Sequence, residues 1–283
     1  PEHREARALA TLAALLILGA SGFFIVLEDI VSGDPLLRAD VAIFHALQGL
    51  RSPWADGLMV AITELGDARV VVPVAAAGFL WLAWRRAWVD MAYWAGAIVV
   101  AQIFATVVKG ALHTPRPFAE LYQGWSAFSF PSGHATVNGV LYGFLAVIAS
   151  RHTGLALRSA IVGALLILIG LIAFSRLYLG AHWFSDVAGG LGFGAAWVGL
   201  LGMAYIRHRP DEGHTAGLLP IVAATLIAAG AANVALSYSD DLDRYRPRSD
   251  LRRMVATTWP DEGWRGLPSV SYTHLTLPTN REV

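Results

Sequence analysis

Three short segments at the ends of apolar stretches carry the side chains with phosphate chemistry. They are Lys109-Gly-Ala-Leu-His-Thr-Pro-Arg116-Pro117, then Pro131-Ser132-Gly133-His134, then Ser175-Arg176 followed by His182 and Asp186. Lys109, Arg116 and Arg176 supply three cations for phosphoryl oxygens, and Ser132 and Gly133 supply a hydroxyl and an amide at a predicted helix start. His182 and Asp186 stand four apart. On a helix they share a face, so the carboxylate can accept one ring proton and leave the other nitrogen as an oriented nucleophile or base. His134 faces the same ligand from the first turn after Ser132. The chain has twenty arginines and one lysine, and that lysine is Lys109.

Each piece has a plainer reading on its own. The His182–Asp186 pair could be a structural ion pair or half a metal site, His134 a capping-region histidine, and single cations at span ends snorkelling anchors. Taken together, three cations, two histidines, a carboxylate and an amide-rich helix start on one side of a membrane read as a site, because ionisable groups near spans are costly unless used. His45, His113, His152, His208 and His214 have no partner at informative spacing, and only His113 falls near the cluster.

The elements that must position these groups are membrane helices. The 283 residues are 55% hydrophobic and 15% charged with zero net charge, outside the soluble-domain range and without an electrostatic case for nucleic acid. Cysteine is absent, which excludes disulfides and thiolate metal sites. Runs of bilayer-crossing length predict spans at 8–27, 69–84, 88–108, 135–150, 157–179, 183–206 and 216–236, the second being the weakest. The first is read as an uncleaved membrane helix, with a signal peptide as the alternative that its Ala-rich run leaves open. Between the first two, Val41–Leu50 has Ile43, Phe44, Leu47 and Leu50 at helical spacing and predicts an amphipathic interfacial helix, with a lid or lipid entrance as the functional alternative. A Gly180 break is expected to let Arg176 close the fifth span and His182 open the sixth. Arginine placement predicts a cytoplasmic N-terminus, with Arg4, Arg7, Arg85, Arg86, Arg151, Arg158, Arg207 and Arg209 inside and all three motif segments outside. Beyond the seventh span, 237–270 reads as a polar linker toward a truncated or missing C-terminal domain. Residues 271–283, with SYTHLTLPTN, resemble a translated sequencing adapter, so the natural chain is expected to continue differently beyond about Val270.

Lys109 with Arg116-Pro117, Pro131-Ser-Gly-His134, and Ser175-Arg176 with His182 and Asp186 together resemble the type 2 phosphatidic acid phosphatase superfamily, which also includes vanadium haloperoxidases and bacterial acid phosphatases. Ile62–Asp67 is similar to a stretch before that family's second helix. The resemblance covers about 8–208. It implies an all-α polytopic bundle with a six-helix phosphatase core (1–208), to which this chain adds a seventh span (209–236). It also implies that His182 attacks phosphorus to form a phosphohistidine, that Asp186 orients it, and that His134 protonates the leaving oxygen and then activates water. Lys109, Arg116, Ser132, Gly133 and Arg176 then hold the phosphoryl group. No metal or cofactor is expected. The expected substrate is a membrane-borne lipid phosphate or diphosphate, such as undecaprenyl diphosphate, phosphatidic acid or phosphatidylglycerol phosphate, met on the outer, periplasmic face of a bacterial inner membrane. Lipid phosphotransfer would use the same site. A transporter of phosphate-bearing lipids would carry its charges within spans rather than at their ends, and a vanadate-dependent peroxidase would share the constellation.

Overall fold

The computed structural model describes residues 2–32, 36–118, 121–151, 153–208 and 215–247. Within them the chain forms helices α1 (Glu2–Ser32), α2 (Leu36–Gly49), α3 (Pro53–Glu64), α4 (Ala68–Trp84), α5 (Trp88–Leu112), α6 (Gly133–Ser150), α7 (Leu155–Tyr178), α8 (Phe184–His208) and α9 (Leu218–Arg244), with one 3₁₀ turn at Gly124–Ala127. Seven stretches are long and apolar enough to cross a bilayer, and they coincide with the seven expected spans. The weak second one is stronger than its sequence suggested. It runs Pro53–Trp84 because α3 leads into α4 through a short break at Leu65–Asp67, where the Asp67 carboxylate accepts the Arg69 amide as an N-cap.

Helix α6 is the central element. Val140, Leu141, Tyr142, Phe144 and Leu145 are all buried, packed among residues of α4, α5, α7 and α8. Lipid-length helices gain little from hydrophobic burial against each other and associate through close packing. Between α1 and α8 that packing depends on glycine. A methyl at Gly19 would lie 2.6 Å from the Ala196 amide, and one at Gly199 would lie 2.6 Å from the Leu12 carbonyl. Outward faces carry Ile17, Leu18, Phe24, Val72, Leu80, Ile103, Leu166 and Ile227 exposed, the pattern of a lipid-facing perimeter.

Two departures from the sequence reading matter for the site. Helix α9 does not stop near residue 236 but continues to Arg244, carrying Asp240, Asp241 and Asp243 on its last turns, and Tyr245 follows as a buried residue. Helix α2, expected as an interfacial piece, buries Phe44 against Phe118 and Trp183 and buries Asp40 beside α8, although Leu50 stays exposed. The linker beyond 247 and the suspected adapter segment lie outside the described residues.

Candidate active site

The site forms at the end of the bundle where α5 and α7 finish and α6 and α8 begin. Helix α5 ends with His113 in the left-handed region (φ 50°), and Pro115 and Pro117 then keep the chain extended around Arg116. The loop returns through Ser129 and Phe130, whose amides donate to the Thr114 carbonyl (2.8 Å) and hydroxyl (2.8 Å). A cis Phe130–Pro131 peptide leads into Ser132, the N-cap of α6, whose hydroxyl accepts the Ala135 amide at 3.4 Å. The Ser132 amide donates to the Asp186 carbonyl at 3.0 Å, tying α6 to α8. Gly133 and His134 therefore stand in the first turn of α6, both half-buried.

The turn between α7 and α8 is made by Gly180, whose φ of +68° suits a residue without Cβ. Here the structure corrects one expectation. His182 lies in the turn, ahead of the α8 start at Phe184, so the pair does not meet across a helix face. Asp186, in the first turn of α8, instead reaches back: its Oδ2 accepts the Trp183 amide at 2.8 Å and faces His182 Nδ1 at 3.1 Å. A carboxylate at a helix N-terminus is favoured to do this by the unsatisfied amides there.

The protonation state of His182 follows from its partners. Arg116 Nη1 lies 2.9 Å from Nε2 and can only donate, so Nε2 is the acceptor. The ring proton then belongs on Nδ1, which donates to Asp186. The imidazole is neutral, with its outward lone pair covered by Arg116. Burial, followed by the charges of Arg116, Lys109, Arg176 and His134, pushes its pKa well below the ordinary histidine value, in agreement with the hydrogen bonds.

The cations are held by neutral acceptors. Lys109 Nζ donates to the Phe128 (2.8 Å) and Ser129 (2.9 Å) carbonyls, which leaves a third ammonium hydrogen. Arg116 is buried, donates to the Ser126 and Ala181 carbonyls (both 2.7 Å), and lies 3.8 Å from the Tyr122 ring. Burial lowers its pKa to about 10, so it stays charged at neutral pH. Arg176 is buried and bonded to Thr63 Oγ1 (2.8 Å) and the Tyr122 hydroxyl (2.7 Å). Among the described residues the His134 ring has no hydrogen-bond partner. The nearby Gly66 approaches its Cδ2, and Asn138 on the next turn donates to the Gly66 (3.1 Å) and His134 (2.9 Å) carbonyls.

Several residues escaped the sequence reading. Ser129, fully buried, donates its hydroxyl to Asp186 Oδ2 and lies 3.4 Å from His182 Nδ1. Asp40 accepts the Ser185 amide (2.8 Å) and hydroxyl (2.6 Å) at the start of α8, and burial raises its pKa. Thr63, Tyr122 and Tyr245 gather on Arg176. Lone serines, threonines and tyrosines carry no spacing signal, whether in loops or, like Thr63, in a helix. Asp40 offered one, as the single carboxylate in an amphipathic helix. Among the described residues no group of three or more histidines and carboxylates is arranged to hold a metal ion.

A family model described as the PAP2 superfamily matches residues 90–210. Phosphatidylglycerophosphatase B of Bacillus subtilis is 30% identical over 187 residues, 61% of this chain and 86% of that protein. The undecaprenyl-diphosphatase of Sulfolobus acidocaldarius is 24% identical over 178 residues, 61% of this chain and 81% of its own length. The crystal structure of a transmembrane PAP2-type phosphatidylglycerolphosphate phosphatase from Bacillus subtilis superposes with a TM-score of 0.60 at 25% identity, covering 69% of this chain and 99% of that one. With seven apolar helices and this structural likeness, the chain is a multi-pass membrane protein.

Proposed function

The chain belongs to the PAP2 superfamily, and from that premise we propose that it is an integral membrane phosphatase that hydrolyses a lipid phosphate or diphosphate through a phosphohistidine, without a metal. One observation carries the mechanism: His182 is a neutral imidazole whose Nδ1 proton is committed to Asp186 and whose Nε2 lone pair meets Arg116 at 2.9 Å. An incoming phosphate dianion draws the guanidinium onto its own oxygens. That uncovers the lone pair at the moment an electrophilic phosphorus arrives.

Nε2 then forms a bond to phosphorus as the phosphorus–oxygen bond to the lipid breaks. His134 gives its proton to the leaving oxygen, and the departing alcohol or lipid monophosphate keeps the bonding pair. In the second step His134 takes a proton from water and the water oxygen bonds to phosphorus. The phosphorus–nitrogen electrons return to Nε2, and inorganic phosphate leaves. Lys109, Arg116 and Arg176, with the Gly133 amide and the Ser132 hydroxyl at the positive end of α6, stabilise the charge on the equatorial oxygens. Ser129 and Asp186 hold the imidazole through both steps.

Relatives named for phosphatidylglycerophosphate and undecaprenyl diphosphate support a membrane-borne substrate, and arginine placement supports a periplasmic-facing site in a bacterial inner membrane. In organisation, 1–208 is proposed as the phosphatase core, with α9, which ends at Arg244, as an added helix. The reading is tested by phosphate release in detergent from a panel of lipid mono- and diphosphates with EDTA present. Release by the wild type that persists in EDTA and falls at least about 10³-fold in His182→Ala is expected. Release that needs added metal, or survives the substitution, would remove the phosphohistidine mechanism.

A further inference from the structure

Beyond the stretch matched by the family model, the last turn of α9 brings Tyr245 onto Arg176. Arg176 Nη1 donates to Thr63 Oγ1 (2.8 Å) and to the Tyr245 hydroxyl (3.2 Å), while Nη2 donates to the Tyr122 hydroxyl (2.7 Å). Its Nε, buried, has no partner among the described residues. The two tyrosine hydroxyls lie 3.0 Å apart. Nη1 thus has both hydrogens committed and Nη2 one, so the Nε–H and the second Nη2 hydrogen are the donors left for a pair of phosphate oxygens.

Tyr245 is itself fixed. Arg51 Nη2 donates to its backbone carbonyl at 2.5 Å while Arg51 Nε bonds Asp56 at 2.6 Å, and the ring lies between the Arg176 and Arg244 guanidiniums at 5.8 and 5.6 Å. Burial pushes the Tyr245 hydroxyl up to about 12, keeping it a phenol. Burial also favours the protonated Tyr122, but the Arg176 and Arg116 charges outweigh it and hold its pKa below the usual tyrosine value. Either hydroxyl can donate to the other across their 3.0 Å contact.

We propose that Tyr245 is a positioning residue for phosphate recognition: through its hydroxyl, together with Tyr122 and Thr63, it fixes the plane of Arg176 so that the Nε edge faces the phosphoryl group. This deepens the reading of the cluster as a phosphate site. The added seventh helix is then part of the working site, since Arg176 takes its geometry from α3, from the loop before α6 and from the end of α9.

The test uses the full chain in detergent with inorganic phosphate as probe, its binding read by thermal shift and its inhibition constant read against lipid-phosphate release. Tyr245→Phe removes one hydroxyl and keeps the ring. Phosphate affinity is expected to fall about tenfold, with KM rising more than kcat falls. In an Arg176→Lys background, where no fork remains to be aimed, the same change is expected to move phosphate affinity by less than about twofold. Tyr245→Leu is expected to weaken phosphate as Tyr245→Phe does, with a further loss of thermal stability. Unchanged affinity in Tyr245→Phe, or equal weakening in both backgrounds, would overturn the assignment. Phosphate binding needs no turnover, so a chain that binds phosphate but releases none from any lipid would sink the phosphatase reading alone.

Discussion

His182 sits among cations, so its charge state is set by what surrounds it. Burial and the neighbouring guanidiniums and ammonium depress its folded-state pKa below the unfolded value of about 6.5, which makes the sign of its pH effects definite. Between those two values the unfolded chain binds a proton that the native chain does not. Stability from this residue is therefore complete above about pH 6.5 and declines as pH falls toward the folded pKa. The same shift keeps the proposed nucleophile unprotonated, so the acidic limb of kcat/KM, once the substrate's own ionisation is subtracted, is expected below about pH 6.5. A limb at or above that value would mean a charged imidazole, which the Arg116 contact forbids. At this scale the sequence was informative for the groups that carry charge. His182, Asp186, Lys109, Arg116 and Arg176 are rare, expensive residue types beside apolar spans, and their spacing was readable. Ser129 was not readable, because a serine three residues before Ser132 looks like any loop serine until the fold puts its hydroxyl on Asp186.

Asp40 shows how an element outside the motifs sets the site. Helix α2 delivers this carboxylate to the Ser185 amide and hydroxyl, so the start of α8, from which Asp186 reaches His182, is held by a residue nearly 150 positions away in sequence. Asp40→Ala would orphan two buried donors at Ser185 and cost about 1–3 kcal/mol of stability. Thermal unfolding in detergent checks the stability, and kcat is expected to fall together with it, whereas an unaltered Tm and kcat would mean that α8 is positioned without α2. Hydropathy found all seven long helices because a bilayer demands about twenty apolar residues each time. It misjudged the second, where α3 and α4 share one span across the Leu65–Asp67 break, and it ended α9 too early. Amphipathic spacing in α2 was visible, but its partner was not, since helical periodicity gives a face and not what that face packs against.

For the molecule as a whole, the proposed topology places the reacting groups at one membrane surface and the turns after α4 and α6 at the other. Because the 283 residues contain no cysteine, single substitutions report this directly. Gln123, in the exposed loop by the site, and Leu155, exposed at the far start of α7, stand at opposite ends of the bundle. In intact cells a membrane-impermeant maleimide is expected to label Gln123→Cys and to reach Leu155→Cys only after permeabilisation. The reverse pattern would invert the orientation. That the ends of α5, α6, α7 and α8 converge could be counted from the sequence, since two spans separate Lys109 from Arg176. Participation of the end of α9 could not, because Tyr245 follows a run of aspartates that reads as leaving the membrane for water.

The guanidinium resting on the imidazole of His182 bears on safety as well as on catalysis. An exposed imidazole at a cell surface would be open to any passing acylating or alkylating compound. Under the proposed mechanism the attacking atom is shuttered at rest, and the shutter opens to a visitor with enough negative charge to pull Arg116 aside. Neutral electrophiles, however reactive, lack that key, so on this proposal the resting protein is expected to stay chemically quiet until an anionic ligand arrives.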